Sequence, residues 1–288
     1  KKIEMSHLTY HSYSTNNKKR YISFQIPKKK KGEYRIIDAP CKGLKLIQQC
    51  LNVLFHEIYA PNVAAVGFVQ NKSIVDGAKI HLQQKFVYNI DLKDFFSSIT
   101  SGRLFKRLQS KPFCLNEEIA SIITDLCCNT NAEGKSVLPQ GAPTSPTITN
   151  FICERLDQKL TNLAHAYGLK YTRYADDITF SGMANVFAES GKFCKSLRHI
   201  IEEEEKFKIN TSKTRLLHRG NRQEVTGITV NERLNVSRRY IKQLRTMIHN
   251  WETKGYIEAQ YIFQKKYNET NIKNSNGIHY IENIICGK

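Results

Sequence analysis

The sequence predicts an α+β fold, because strand-like and helix-like segments follow one another without the regular alternation of a doubly wound sheet. The chain has 288 residues, of which 40% are hydrophobic. This length and composition are sufficient to bury a core and to form one or two domains.

The N-terminal part predicts a hairpin, a helix and a buried strand. Residues 20–26 alternate between apolar and polar side chains, and after a basic turn residues 34–38 resemble the returning strand of a hairpin. Residues 44–59 carry apolar side chains at helical spacing. Residues 86–90 form an apolar strand, with Asp91 directly after it.

The middle of the chain predicts helices separated by a turn. Residues 103–109 and 116–128 are typical of helices, and the second begins with an asparagine cap followed by two glutamates. The Pro-Gln-Gly-Ala-Pro segment at 139–143 interrupts the regular secondary structure. A long amphipathic helix is then expected to about residue 167, with Ser145 as its cap and Pro146 in its first turn.

The C-terminal half predicts a second hairpin, then shorter elements and two helices. The hairpin strands span 169–174 and 178–181, so that Asp176 and Asp177 lie at its tip. The remaining predicted elements are a helix over 187–207, short strands over 208–217 and 224–230, a basic helix over 237–251 and a helix over 257–267.

The net charge predicts a polyanionic partner. There are 44 Lys and Arg against 26 Asp and Glu, a formal charge of +18. Nucleic acid is the commonest polyanion that binds such a surface. Charge alone does not exclude the alternative of a generally basic housekeeping protein. No apolar run approaches the ~20 residues that span a bilayer, and residues 1–21 are polar. We therefore expect no membrane partner and a cytoplasmic location.

Four aspartates stand where apolar strands end. Asp91 follows the first strand, Asp94 comes three residues later, and Asp176 and Asp177 are adjacent in the second hairpin. Like charges repel and desolvation raises their pKa, so a divalent cation with a preference for oxygen ligands would stabilise them. Two Mg²⁺ ions in such a cluster suit phosphoryl transfer. The alternatives are a solvated Asp-Asp turn and an Asp91 that caps a helix.

Three segments resemble the central motifs of reverse transcriptases, in the order of that family. They are Asn-Ile-Asp-Leu-Lys-Asp-Phe-Phe at 89–96, Leu-Pro-Gln-Gly-Ala-Pro-Thr-Ser-Pro at 138–146, and Tyr-Thr-Arg-Tyr-Ala-Asp-Asp at 171–177. The three together are highly specific, and the resemblance covers about residues 20–285. It implies a right-hand polymerase fold with fingers at 1–84, palm at 85–231 with fingers residues at about 101–138 interleaved, and a thumb at 232–288 that we expect to be truncated.

Within that family the chain most resembles bacterial retron reverse transcriptases. Residues 66–74 are similar to their fingers segment, and residues 224–231 resemble their Val-Thr-Gly motif. These enzymes usually carry Asn-Ala-x-x-His where this chain has Gly77-Ala-Lys-Ile-His81, so the first residue of that motif differs.

The resemblance implies roles for the catalytic residues. Asp91 and Asp176 would bind both Mg²⁺ ions with help from Asp177, and the Leu92 carbonyl would face the ion on the triphosphate side. Lys213 would protonate the departing pyrophosphate.

A nucleotide site is also implied by the resemblance. Its residues would be Arg35, Asp94, Phe95, Phe96, Gln140 and Gly141. The Arg35 guanidinium would hold the triphosphate in a bidentate manner, with assistance from one of the lysines at 28–31. The Phe96 ring would clash with a ribose 2′-OH and so favour deoxynucleotides, unless it is simply a core residue.

Two segments are implied to bind nucleic acid. The Val225-Thr226-Gly227 motif would engage the enzyme's own structured RNA. The basic helix of the thumb would grip template–primer phosphates through Arg238, Arg239, Lys242 and Arg245. The alternative for this helix is a solvated charged face.

The implied reaction is RNA-templated DNA synthesis from deoxynucleoside triphosphates and Mg²⁺. A retron enzyme would bind a cognate noncoding RNA, prime from a guanosine 2′-OH within it, and make branched RNA-linked DNA (msDNA). It would serve anti-phage defence with an effector protein. Two alternatives stay open: another bacterial reverse transcriptase (defence-associated, group II intron-like or CRISPR-associated), and a catalytically inactive RNA-binding scaffold.

Overall fold

The computed structural model describes residues 10–11, 20–27, 32–270 and 279–286. The lysines at 28–31, which were expected to assist triphosphate binding, lie outside the described residues. The chain divides into two compact units. The first runs to Thr226 and includes Val230–Leu234, and the second comprises Gly227–Thr229 and the residues from Asn235 onward.

The strands and helices have the following bounds. The strands are β1 (Tyr21–Pro27), β2 (Tyr34–Pro40), β3 (Phe86–Lys93), β4 (Asn129–Thr130), β5 (Ser136–Val137), β6 (Lys170–Tyr174), β7 (Asp177–Gly182), β8 (Lys208–Ile209), β9 (Arg215–His218), β10 (Glu224–Val225) and β11 (Ile228–Thr229). The helices are α1 (Lys42–Ile58), α2 (Ile74–Ile80), α3 (Ser101–Leu108), α4 (Glu117–Cys127), α5 (Ser145–Ile152), α6 (Glu154–Ala166), α7 (Lys192–Arg198) with a π-helical continuation (His199–Glu204), α8 (Arg238–Thr270) and α9 (Ile281–Cys286).

An antiparallel five-stranded sheet forms the centre of the first unit. Its middle strand is β3, which pairs with β7 on one edge and with β8 and β9 on the other, while β6 pairs with the far edge of β7. The β3 side chains Val87, Ile90 and Leu92, which point to alternate faces of the sheet, are almost completely buried, so both faces are covered at this strand. The predicted α+β class is confirmed.

Aromatic side chains fill the core beside this sheet. Phe151 of α5, Phe180 of β7 and Phe193 of α7 are fully buried, and the rings of Phe180 and Phe193 meet edge to face at 5.3 Å. Burying a side chain of this size contributes about 1.5–3 kcal/mol. The strands that carry the aspartates are therefore held against a rigid layer.

Most predicted elements are confirmed, including the Asn116 cap, whose side chain accepts a hydrogen bond from the Ile119 amide at 2.9 Å. The single helix expected from 145 to 167 is wrong. It is two helices, α5 and α6, separated at Cys153, and the capping position is Thr144 rather than Ser145. Nearly all of α5 is buried, so its sequence lacks the apolar stripe that would have marked a boundary with the amphipathic α6.

The expected continuous strand at 208–217 is also wrong. It is two short strands, β8 and β9, with residues 210–214 as a loop between them. Both strands pair with β3, so the loop is held close to the β3 position that carries Asp91. The expected helix at 187–207 begins only at Lys192.

The second unit contains α8 and α9. The α8 segment is broken at Gly255, where φ is +79°, which agrees with the two helices predicted there. The Gln260 side chain donates to the His279 carbonyl and accepts from the Ile281 amide, both at 2.8 Å, and so ties α9 to α8. No helix among the described residues is both long and apolar enough to cross a membrane.

Candidate active site

The sheet brings the aspartates together. Asp91 of β3 and Asp177 of β7 are direct partners in the antiparallel register. The amide of Leu92 donates to the carbonyl of Asp176 at 3.0 Å. Asp91 therefore lies beside the hairpin tip, which is the convergence that the sequence predicted.

The hairpin tip is a two-residue turn. Tyr174 pairs with Asp177, which leaves Ala175 and Asp176 as the turn residues. Ala175 has φ of +55°, a left-handed conformation that is uncommon for a residue other than glycine, and its side chain is buried. Packing around Ala175 thus fixes the direction in which Asp176 leaves the sheet.

Burial and nearby carboxylates raise the pKa values of Asp176 and Asp177. Burial raises the pKa of Asp176, and the neighbouring Asp91 charge adds to this. The pKa of Asp177 rises to about 6, first through desolvation and then through Asp176 and Asp91, although its side chain reaches solvent at the tip. The negative charge of the cluster is not fully compensated by its surroundings. A bound cation would therefore stabilise it.

Lys213 contacts the cluster directly. Its Nζ lies 2.9 Å from Oδ2 and 3.0 Å from Oδ1 of Asp91, and its side chain is 62% exposed. Asn210 also holds Asp91: its side-chain amide donates to Oδ1 at 2.9 Å, and its backbone amide donates to the Asp91 carbonyl at 2.8 Å. The loop between β8 and β9 thus supplies one cation and one neutral donor to Asp91.

The donor set of the cluster suits Mg²⁺. Three carboxylates and the Leu92 carbonyl are hard oxygen ligands of the kind this ion prefers. Within the described ranges, no three acidic, histidine or cysteine side chains already stand in a metal-binding arrangement. The ammonium of Lys213 instead occupies the oxygens of Asp91, so a cation that binds Asp91 has to displace an exposed, flexible lysine.

The Pro-Gln-Gly turn is held against the β1–β2 hairpin. The Asp38 amide of β2 donates to the Gln140 carbonyl at 2.9 Å. At Gly141 φ is +129°, and a Cβ there would lie 2.8 Å from the Asp38 carbonyl oxygen, so only glycine fits. Arg35 is also on β2, and its positive charge partly opposes the rise in the pKa of Asp176, so its guanidinium lies within electrostatic reach of that carboxylate.

The three predicted nucleotide contacts just after β3 differ in how accessible their side chains are. Phe96 is half-buried and meets Phe95 edge to face at 5.6 Å. The Phe95 ring is 3% exposed and packs on Phe207, so it belongs to the core and only its backbone can face a nucleotide. Asp94 is exposed with φ of +49°, and its carbonyl accepts from the Ser98 amide at 2.9 Å.

The Val-Thr-Gly segment is anchored to the central strand. The Asn89 side chain donates to the Glu224 carbonyl at 2.8 Å and accepts from the Thr179 hydroxyl at 3.0 Å. Val225 is buried, whereas Thr226 and Gly227 reach the surface. Both surface residues have positive φ, +48° and +89°. Val225 therefore packs in the interior, whereas Thr226 and Gly227 are accessible to solvent.

The basic face of α8 carries most of the predicted phosphate contacts. Arg238, Lys242 and Arg245 line one shallow groove together with His249. Arg239 is equally exposed but lies outside that groove. Three of the four predicted basic residues therefore share one side of the helix.

Sequence reasoning missed three polar residues that support the site. Asn210, three positions before Lys213, holds Asp91. Asp157 and Arg173 form a fully buried ion pair beside the hairpin. The position of Asp157 in the sequence could have indicated this pair. It lies on the apolar face of a helix between Leu156 and Leu160, where an unpaired charge would be costly.

Residues 26–268 match the family model described as reverse transcriptase (RNA-dependent DNA polymerase). The chain belongs to the reverse transcriptase family, as its three motifs predicted. Within that family it is similar to retron reverse transcriptases.

Two curated relatives illustrate this similarity. The retron Mx65 reverse transcriptase of Myxococcus xanthus is 36% identical over 252 residues, which cover 83% of this chain and 58% of that protein. The retron Ec86 reverse transcriptase of Escherichia coli is 34% identical over 236 residues, which cover 80% and 70%. The chain thus spans between about half and seven-tenths of the length of such relatives.

Solved structures show the same fold at low identity. The telomerase of Candida tropicalis, in complex with a TWJ fragment of telomeric RNA, gives a TM-score of 0.53 at 11% identity and covers 93% of this chain and 52% of that one. The Candida albicans telomerase, also in complex with a TWJ fragment, gives 0.52 at 11% identity, with 89% and 57% covered. These matches confirm the predicted polymerase fold.

Proposed function

We propose that this chain is an RNA-directed DNA polymerase that copies a cognate structured noncoding RNA into RNA-linked DNA. The observation that carries the proposal is the pairing of Asp91 with Asp177 across β3 and β7, with Asp176 beside them, in a member of the reverse transcriptase family. The division into fingers at 1–84, palm at 85–231 and thumb at 232–288 is part of the same proposal.

Asp91, Asp176, Asp177 and the Leu92 carbonyl would hold two Mg²⁺ ions. When bound, such ions stabilise the attacking and leaving oxygens of an in-line phosphoryl transfer. Because the pKa values of Asp176 and Asp177 are raised by burial and mutual repulsion, a divalent charge is more favourable there than at an isolated carboxylate.

Three groups would position the incoming nucleotide. Arg35 on β2 would grip the triphosphate, since guanidinium and phosphate form bidentate hydrogen bonds. The turn at Gln140 and Gly141, held to β2 by the Asp38 amide, would line the pocket. The half-buried Phe96 would exclude a 2′-OH and so select deoxynucleotides.

Lys213 would act in both states of the site. Without substrate its ammonium neutralises Asp91, as the 2.9 and 3.0 Å contacts describe. With substrate bound, the same flexible side chain would turn to the leaving pyrophosphate and donate a proton to its oxygen.

The nucleic acid would be held by charge and by the Val-Thr-Gly turn. Arg238, Lys242 and Arg245 on one face of α8 would contact template–primer phosphates, with Arg239 in a lesser role. The partly exposed Thr226 and the exposed Gly227 would engage the cognate RNA.

The similarity to retron reverse transcriptases supports the finer proposal. The enzyme would prime from a guanosine 2′-OH in its RNA, make msDNA in the cytoplasm, and act with an effector protein in anti-phage defence. Sequencing nucleic acid that copurifies with the chain tests this: we expect DNA covalently joined to one discrete RNA. Free cDNA from mixed templates would instead favour another class of bacterial reverse transcriptase.

The polymerase proposal is tested by deoxynucleotide incorporation on a primed RNA template with Mg²⁺. We expect incorporation by the wild type and its loss in the Asp176→Asn/Asp177→Asn double variant. Equal incorporation by the two proteins would contradict the proposed active site, and no incorporation by the wild type would favour the inactive scaffold.

A further inference from the structure

We infer that the buried ion pair between Arg173 and Asp157 positions the Asp176–Asp177 turn for catalysis, an inference that rests on the proposed polymerase function. Neither side chain has any exposed surface. Both are positioning residues: Arg173 contacts the turn, and Asp157 holds Arg173 in place.

The pair is held in one geometry. Arg173 Nε donates to Asp157 Oδ1 at 2.7 Å, and one terminal nitrogen donates to Oδ2 at 2.6 Å. The Tyr171 hydroxyl donates to the same Oδ1 at 2.7 Å. A two-point contact of this kind fixes the plane of the guanidinium and therefore the direction of its remaining donors.

The remaining donors point to the catalytic turn. The second terminal nitrogen of Arg173 donates to the Ala175 carbonyl at 3.1 Å, and the first also reaches the Asn150 side-chain oxygen at 3.2 Å. The Ala175 carbonyl belongs to the peptide bond that leads into Asp176. Arg173 therefore holds the backbone unit from which the first catalytic carboxylate of the turn projects.

A neighbouring loop holds the turn from its other side. The Asn150 side-chain amide donates to the Gly67 carbonyl at 3.0 Å, and the Val66 amide donates to the Arg173 carbonyl at 2.9 Å. A Cβ on Gly67 would lie 2.7 Å from the Ala175 nitrogen, so the loop packs directly on the turn backbone. The left-handed Ala175 is thereby fixed by contacts on both sides.

Stability alone does not require this pair. Replacing a buried ion pair by well-packed apolar residues is often neutral or stabilising, whereas removing one partner is costly. What apolar residues cannot supply is the directed bond to the Ala175 carbonyl. A misplacement of about 1 Å at reacting groups can slow a reaction about 10²-fold.

The test is a triple variant, Asp157→Leu/Tyr171→Phe/Arg173→Met, compared with Tyr171→Phe alone. The triple variant removes the charges together and leaves no tyrosine hydroxyl without its acceptor. We expect it to fold with a melting temperature somewhat below that of Tyr171→Phe, because the Ala175 carbonyl and the Asn150 side-chain oxygen lose their donor, and to bind a primed RNA template with the same affinity. We expect its kcat for deoxynucleotide incorporation to fall about 10–100-fold and its half-saturating Mg²⁺ concentration to rise.

A second variant decides the question if the triple variant does not fold. Arg173→Lys keeps a positive partner for Asp157 but lacks the fork that also reaches Ala175. The same loss of kcat with unchanged template affinity supports the inference. If kcat and the half-saturating Mg²⁺ concentration both stay within twofold of the control, the inference is overturned but the polymerase proposal stands. A wild type that incorporates no nucleotide overturns both.

Discussion

At the scale of single residues, the chemistry depends on which groups surround Asp91. Its carboxylate is held by the Asn210 amide and the Lys213 ammonium, while Asp177 faces it across the sheet. In the proposed mechanism, the lysine and a divalent cation would compete for the same oxygens.

We predict that Lys213→Met tightens Mg²⁺ binding to the substrate-free chain and yet slows incorporation. The first effect follows because the ammonium no longer competes for Asp91, and the second because a proton donor to pyrophosphate is lost, about 10²-fold in rate. Calorimetric titration with Mg²⁺ and single-turnover kinetics measure the two effects. Lys208→Met, at an exposed lysine on β8, is the matched control, and weaker Mg²⁺ binding by Lys213→Met would contradict the competition.

We predict that Phe96→Ala relaxes sugar selection. Removing the half-buried ring leaves room for a 2′-OH, so the preference for deoxynucleotides over ribonucleotides should fall about 10–100-fold. The measurement is kcat/KM for each sugar on the same primed template. Phe105→Ala, at another partly buried phenylalanine packed against the core, should leave the ratio unchanged. An unchanged ratio in Phe96→Ala would make Phe96 a core residue only.

At the scale of elements, pattern predicted most strands and helices but not their interruptions. The hairpins and the Asn116 cap follow from local periodicity and capping chemistry. The break at Cys153 does not, because α5 is buried on nearly every side and has no stripe to end. The loop at 210–214 could not be predicted for a related reason. The Asn210 amide that begins it donates to the Asp91 carbonyl, a partner distant in sequence.

The buried His81 ties α2 to the sheet and makes stability depend on pH. Its ring nitrogens lie 2.7 Å from the Ser181 and Thr172 hydroxyls of β7 and β6, and burial lowers its pKa to about 3. The unfolded chain binds a proton near pH 6.5 and the folded chain does not, so this residue makes stability fall as the pH decreases from about 6.5 toward 3.

We predict that His81→Gln flattens this dependence by up to about 1.4 kcal/mol per pH unit. Urea unfolding of both proteins between pH 7 and 5 isolates the effect, since other titrating groups are shared and cancel in the difference. His199→Gln, at an exposed histidine, is the control. Parallel curves for wild type and His81→Gln would show that the histidine is not buried in its neutral form.

At the scale of the whole molecule, the charge of +18 and the aspartate cluster both fit the polyanionic substrate that we propose. The motifs predicted the reverse transcriptase family and the convergence of the three aspartates, since register within a sheet is set by its apolar pattern. The network of Asp157 and Arg173 could not be predicted from motifs, because it depends on which buried faces meet.

We predict that Arg238→Gln/Lys242→Gln/Arg245→Gln weakens template–primer binding and lowers the slope of log affinity against log salt concentration. Each phosphate contact contributes about 0.9 to that slope for duplex DNA, so a decrease of about 2–3 is expected. Fluorescence anisotropy with a labelled RNA–DNA duplex at several salt concentrations gives the slope. Arg239→Gln, outside the groove, should change it less. An unchanged slope in the triple variant would make α8 a solvated charged face.

Anomalous diffraction from crystals grown with Mn²⁺, a primed RNA template and a non-hydrolysable deoxynucleotide tests the central claim most directly. We predict two anomalous peaks in contact with Asp91 and Asp176, with Lys213 no longer on the Asp91 oxygens. Peaks elsewhere, or an Asp91 still paired with Lys213 beside a bound nucleotide, would contradict the account.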